Sequence, residues 1–153
     1  MAEPRVGILI GSESDLEVME RCQEQLAELG IDAELHVLSA HRTPDAVREY
    51  ARAAEKRGIR VLVAGAGMAA HLAGALASES TLPVIGVPLD AGPLHGVDAL
   101  LSTVQMPRGV PVACMAIGKA GAVNAAVFAA QILALDDAGV RAKLEKMRAG
   151  WRK

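Results

Sequence analysis

Ser39-Ala40-His41-Arg42-Thr43-Pro44-Asp45 is the stretch on which the reading of this chain turns. Just upstream, Asp32 to Leu38 alternates polar and apolar residues. Ala33, Leu35 and Val37 fall on one side and Asp32, Glu34 and His36 on the other, which is strand spacing. Downstream, Ala46, Val47, Tyr50, Ala53 and Ala54 recur at helical spacing, with Pro44 suited to the first turn and Thr43 to the N-cap. The heptapeptide is therefore a strand-to-helix loop at the carboxyl end of a strand, where open parallel sheets bind ligands. It sets a titratable imidazole, His41, beside a permanent cation, Arg42.

The same alternation of strand and helix extends in both directions. Arg5 to Gly11 reads as a buried strand, followed through Ser12-Glu13-Ser14-Asp15 by a helix with Leu16, Met19, Leu26 and Leu29 inward and Gly30 just past its end. Beyond the helix that Gly58 closes, Arg60 to Ala66 is a third strand, leading through Gly65-Ala66-Gly67 into a small-residue helix from Ala69 to Ala77. Leu82 to Pro88 and Val112 to Ile117 are predicted as the fourth and fifth strands, with a short helix, Val97 to Val104, between them. A helix from Ala120 to Leu135 and an amphipathic one from about Asp137 to Arg152 complete the chain.

This pattern predicts one α/β domain over residues 1–153, a doubly wound parallel sheet with a C-terminal helix. With strand order 2-1-3-4-5, the switch point falls between strands 1 and 3. Three loops then converge: Gly11 to Asp15, Ser39 to Asp45, and Gly65 to His71. They hold most of the notable polar residues of the sequence.

Composition narrows the functional classes. Hydrophobic residues make up 52% and aromatics 2%, so the core has to be packed from Ala, Val, Leu and Ile. A net charge of -2 argues against nucleic acid, and the basic residues Arg141, Lys143, Lys146, Arg148, Arg152 and Lys153, interrupted by Glu145, read as a solvated helix end. Cys22 and Cys114 are far apart, and are expected as two buried thiols in a reducing compartment. Met1-Ala2-Glu3-Pro4-Arg5 lacks the start of an export signal, and no apolar run reaches the ~18 residues of a membrane span. A soluble, cytoplasmic protein is expected. The helix from Ala120 to Leu135 is apolar on almost every face apart from Asn124 and Gln131, where one stripe would suffice. It predicts burial against another subunit, with cover by the C-terminal helix as the alternative.

Each converging loop admits a functional and a structural reading. Loop one offers backbone N–H groups and the hydroxyls of Ser12 and Ser14 to a phosphate, and Asp15 to ribose hydroxyls; alternatively Ser14 or Asp15 is only an N-cap. In loop two, Arg42 can clamp a phosphate and His41 can exchange protons near neutral pH, although a loop histidine is more often simply solvated. In loop three, small residues permit close approach of a planar ligand or tight packing, the latter being the plainer explanation of Gly65. His71 is then a second site group or a satisfied semi-buried histidine. His36 is expected at the surface, and His95 has no evident partner. The sequence has no Walker loop, GxGxxG, GxSxG, HxxxH or cysteine cluster, and no metal is expected. The candidate catalytic residues are His41 and His71. The candidate substrate-binding residues are Gly11, Ser12, Ser14 and Asp15; Ser39, Ala40 and Arg42; and Gly67, Ala69, Ala70 and Leu72.

These motifs, together with Pro83-Val84-Ile85-Gly86-Val87-Pro88, Val104 to Pro111, Ala116-Ile117-Gly118-Lys119-Ala120-Gly121, Asn124-Ala125-Ala126 and Ala129-Ala130-Gln131-Ile132-Leu133, occur in an order that resembles the PurE family. These are the catalytic subunits of phosphoribosylaminoimidazole carboxylase and the bacterial N5-carboxyaminoimidazole ribonucleotide mutases. The resemblance covers nearly the whole chain. It implies a flavodoxin-like three-layer αβα sandwich and conversion of N5-carboxyaminoimidazole ribonucleotide to 4-carboxy-5-aminoimidazole ribonucleotide in purine synthesis, with CO2 held as an intermediate. It also implies no metal or organic cofactor, and a homo-octamer with sites at subunit contacts. By position, Ser12, Asp15 and Arg42 match the family's substrate-binding residues, His41 its general acid/base and His71 its second histidine. Met68 and Ala73 stand where the mutase loop has glycine and proline. A related branch carboxylates aminoimidazole ribonucleotide directly with CO2 and is the alternative activity; the run Ala69-Ala70-His71 favours the mutase. A nucleotide-sensing module and a flavin protein are alternatives of other classes, and the scarcity of aromatics counts against flavin.

Overall fold

The computed structural model describes residues 3–152. Met1, Ala2 and Lys153, which enter the readings of the two chain ends above, lie outside the described residues.

Five parallel strands form one sheet: β1 (Val6–Ile10), β2 (Ala33–Val37), β3 (Val61–Gly67), β4 (Val84–Leu89) and β5 (Ala113–Cys114), in the order β2-β1-β3-β4-β5. The helices are α1 (Leu16–Glu28), α2 (Pro44–Ala54), α3 (Leu72–Glu79), α4 (Val97–Val104), α5 (Lys119–Leu133) and α6 (Ala138–Ala149). The predicted flavodoxin-like order is the observed one.

Strand alternation sorts the core into two layers. Ile8, Ile10, Val63, Ile85 and Val87 face α1 and α5, whose Met19, Cys22, Leu26, Ala122, Ala126 and Ala129 bury against them. Leu9, Leu62, Ala64 and Val84 face the opposite way, onto Val47, Tyr50 and Ala54 of α2 and Leu72 and Leu76 of α3. The predicted inward residues Val47, Tyr50 and Ala54 are buried, joined by Ala51, while Ala46 and Ala53 are half-buried. Burial also holds the Cys22 thiol up at about 12, an inert sulfhydryl.

Several expectations change at the margins. Val37, on the apolar side of β2 with Ala33 and Leu35, is 43% exposed, because among the described residues β2 pairs only with β1 and its outer flank is open. Cys114 is half-buried rather than buried, again on an edge strand. β5 is shorter than Val112 to Ile117. Pro88 of β4 accepts a bond from the Gly118 N–H but has no N–H of its own to return, so the ladder ends beside it. α3 begins at Leu72 instead of Ala69, because Met68 turns left-handed and the Ala70 N–H bonds to Ser102. The apolar circumference of α5 is largely met within the chain: α1 and the sheet cover one side, and α6 packs on another through Val140 and Leu144. A remaining face, carrying Asn124, Phe128 and Gln131, is exposed in the single chain. Among the described residues no helix is long and apolar enough to cross a membrane.

α4 sits on the α3 side of the sheet, held by a close approach at Gly86. A Cβ there would overlap Thr103 Cγ2 and come within 3.0 Å of Val112 and 3.3 Å of Ala73. Gly86→Ala is expected to destabilise the chain by about 1–3 kcal/mol through overpacking, measured by urea unfolding. Thr103→Ser in the same chain, which removes the first overlapping methyl, should recover part of that loss.

Candidate active site

The sheet register explains why the three loops meet. Ile10 is level with Val37 on one side and Gly65 on the other. β1 and β2 therefore end abreast, β3 runs on two residues to Gly67, and the turns that follow enclose a cavity of about 430 Å³. That is a volume suited to a small ligand.

Loop one is a single 3-10 turn, Glu13–Asp15, in which Ser12 is the capping residue. Its hydroxyl accepts from the Ser14 N–H at 3.4 Å and from the Ser14 hydroxyl at 3.0 Å. Asp15 occupies the N-cap position of α1, yet its side chain makes no capping bond. The structural reading of Asp15 as a cap thus fails. Its carboxylate is buried at the cavity wall, and that burial pushes it above its ordinary value, only partly offset by hydrogen bonding from the Ser12 backbone. Gly11 also lines the cavity, and nothing lies within 4 Å of where its side chain would be.

Loop two is braced by a reciprocal pair. The Ser39 N–H donates to Thr43 Oγ1 at 3.0 Å, and Thr43 Oγ1 donates to the Ser39 carbonyl at 3.1 Å. Thr43 is at the N-cap as predicted, but its hydroxyl closes the loop instead of capping α2. Ser39 Oγ accepts the Arg42 N–H at 3.1 Å. The result is a closed turn carrying Ala40, His41 and Arg42 on the cavity wall. Nearby Arg48 and Arg52 are both tied to Glu79, whereas Arg42 takes part in no ion pair among the described residues.

Loop three brings the second histidine. His41 Nε2 lies 2.8 Å from His71 Nδ1, with the rings edge-on at 4.9 Å and 87°. One of those nitrogens donates and the other accepts. Gly67, Ala69 and Leu72 line the cavity with them. Ala70 does not: it is 2% exposed, and its N–H is bound to Ser102 Oγ at 3.0 Å. Packing accounts for Gly65, where a Cβ would lie 2.6 Å from Met19 Sδ. His36 is exposed beside Glu34, and His95 lies 3.5 Å from Asp90, a partner the sequence did not reveal.

Ala66, Met68 and Ala91 also line the cavity and were not singled out as candidates. Ala91 comes from the β4–α4 connection and lies against Gly67, where a Cβ would approach it to 2.6 Å. Met68 has φ 56, a left-handed conformation in a residue with a long side chain. Its sequence position, where glycine is the family habit, was the available signal. Among the described residues no three His, Cys, Asp or Glu side chains gather to hold a metal ion.

The model of the AIR carboxylase family matches residues 5–153. The N5-carboxyaminoimidazole ribonucleotide mutase of Bacillus subtilis is 56% identical over 146 residues, covering 95% of this chain and 90% of the relative. That of Pseudomonas aeruginosa is 52% identical over 144 residues, covering 94% and 88%. The crystal structure of Treponema denticola PurE superposes with a TM-score of 0.85 at 26% identity, over 97% of this chain and 92% of that one. The chain belongs to the AIR carboxylase family, whose curated relatives include these N5-carboxyaminoimidazole ribonucleotide mutases.

Proposed function

We propose that this chain is an N5-carboxyaminoimidazole ribonucleotide mutase of purine biosynthesis, an isomerase with a ribonucleotide substrate. The observation that carries the assignment of roles is the His41–His71 contact at 2.8 Å on the wall of the shared cavity. Loop one and Arg42 hold the phosphate and ribose. Among the described residues Arg42 is paired with no carboxylate, and Asp15 is unspent in capping, so both are available to ligand.

The reaction then needs one proton shuttle. The bond between the exocyclic nitrogen and the carboxylate breaks, releasing CO2, and His41 gives that nitrogen a proton. C4 attacks the retained CO2 to form the new C–C bond, and the C4 proton returns to His41. Protons balance over the cycle: His41 is neutral between the two steps, and His71, 2.8 Å away, is placed to hydrogen-bond its ring before and after each transfer. The small residues of loop three close the pocket against water and keep CO2 near C4. Residues 1–153 are assigned to one PurE-like domain, working in the cytoplasm.

Self-association has support on α4 as well as on α5, where Phe128 is 36% exposed. Val97, Leu101 and Val104 are 52%, 55% and 46% exposed and lie along one helix face, with Leu94 at 59% just before it. We infer a homo-oligomer, an octamer by family likeness, with this stripe among its contacts. Leu101→Asp should lower the assembly mass measured by light scattering while the chain remains folded.

Purified protein should convert N5-carboxyaminoimidazole ribonucleotide to 4-carboxy-5-aminoimidazole ribonucleotide without added bicarbonate. Activity only with aminoimidazole ribonucleotide and high bicarbonate would assign the direct carboxylation instead. His41→Asn is expected to lower kcat by about 10²–10⁴-fold; near-normal turnover would remove His41 from the shuttle.

For Asp15, burial raises the folded pKa above the unfolded one. Its favourable contribution is therefore greatest in acid, and is lost as pH rises through the raised value. Asp15→Asn should have a higher Tm than the parent at pH 7 and lack the parent's decline across that window. Its KM for the ribonucleotide should rise about 10-fold or more through a lost charge-assisted contact.

A further inference from the structure

We propose that Ser102, on α4 and outside the cavity, is a positioning residue that holds loop three in the shape the histidine pair requires. The proposal rests on the site assignment above. Its evidence is a single hydroxyl on which several backbone groups converge. Ser102 Oγ accepts the Ala70 N–H at 3.0 Å. It lies 2.8 Å from the Asp98 carbonyl, 3.2 Å from the Ala99 carbonyl and 3.4 Å from the Met68 carbonyl. A serine has one proton to donate, and the shortest contact directs it to Asp98 within its own helix. That leaves the oxygen lone pairs aimed outward, at Ala70.

Loop three needs such a hold. Met68 is in the left-handed region at φ 56, which a side-chain-bearing residue keeps only where its surroundings impose it. Its own side chain does not impose it, being 53% exposed. Ala70 is 2% exposed, so water has little access to replace Ser102 at its N–H. The residue that follows is His71, whose N–H donates to the Ala69 carbonyl at 3.0 Å and whose carbonyl accepts from Ala75 N–H at 2.9 Å as α3 begins. Only one peptide separates the Ser102 bond from the ring that meets His41. A shift of Ala70 is carried directly to His71 Nδ1.

The other end of the brace is fixed. The residue after Ser102 is Thr103, 3% exposed and seated in the space left by Gly86 on the central sheet. Loop three is thus referenced to β4 through α4 as well as to β3, from which it emerges. Ser102 does not line the cavity, so substrate contact is not the source of its effect.

The test compares Ser102→Ala, Ser102→Thr and the parent enzyme, at temperatures well below each Tm. Ser102→Ala is expected to lower kcat about 10–100-fold, the scale of a displaced catalytic group, with KM changed less than threefold. Without substrate, nitrogen-15 NMR of the histidine rings should show loss of the hydrogen-bonded imidazole signal shared by His41 and His71. Ser102→Thr, which keeps the hydroxyl, should restore both. If the alanine chain does not fold, Ser102→Cys, with similar volume and a much weaker acceptor, should give the same loss of the ring signal. Unchanged ring signals and a kcat within twofold of the parent in the alanine or cysteine variant would overturn the proposal, as would failure of the threonine variant, folded, to restore either reading. The ring signals report without any substrate. A parent enzyme inactive on N5-carboxyaminoimidazole ribonucleotide would instead refute the assignment of function.

Discussion

The hydrogen-bonded ladder β2-β1-β3 is the constraint from which the site follows. Parallel pairing sends all of the carboxyl ends to one rim, and the level register of Ile10, Val37 and Gly65 makes the next residue of each strand a neighbour of the others. β1 occupies the centre of this trio and is buried at every position. It cannot slip by one residue without turning Ile8 and Ile10 out of one core layer and Leu9 out of the other. Hydrophobic sorting, not any contact within the cavity, therefore fixes the meeting of Ser12, His41 and His71 to within side-chain reach.

Within that frame, polar groups divide into those consumed by structure and those left over. Ser12, Ser39 and Thr43 use their oxygens to close turns. Asp137 caps α6 through Gly139 and Val140 N–H and pairs with Arg5; the Val140 N–H first, and Arg5 after it, hold its carboxyl below its usual value. Arg48, Arg52 and Arg57 are all bound by Glu79 or Glu34. Among the titratable groups lining the cavity, Arg42, Asp15 and the two rings are what remains. A buried carboxylate with no capping role is costly to the fold, and a ligand offering hydroxyl donors offsets that cost.

The parts legible in the sequence were those written in local pattern. Period-two and helical spacing located the strands and helices, Gly and Pro marked their ends, and strand order then brought the loops together. Ser102 was not legible, because in Leu100-Leu101-Ser102-Thr103-Val104 it reads as an ordinary helical residue. Its partner at Ala70 lies far away in sequence, and no local rule encodes such a bond. The late start of α3 has the same origin, since the helical propensity of Ala69 and Ala70 is overridden by a bond from another helix and by the turn at Met68. The apolar circumference of α5 is a different case. An apolar circumference states that a helix is covered but not by what, and here α1 and α6 supply much of the cover that a second subunit was expected to give.

Magnitudes explain why a single hydroxyl can matter in loop three. A left-handed conformation at a residue such as Met68 costs about 1–3 kcal/mol. Leaving the buried Ala70 N–H unpaired costs a similar ~1–3 kcal/mol. The two terms nearly balance, so the loop that carries His71 is held by a margin of one hydrogen bond rather than by bulk. Glycine at position 68 would relieve the strain but also free the backbone on either side of it, trading a strained single shape for several relaxed ones. With Met68 the chain accepts the strain, and Ser102 on the anchored helix α4 selects the one shape in which the two rings touch.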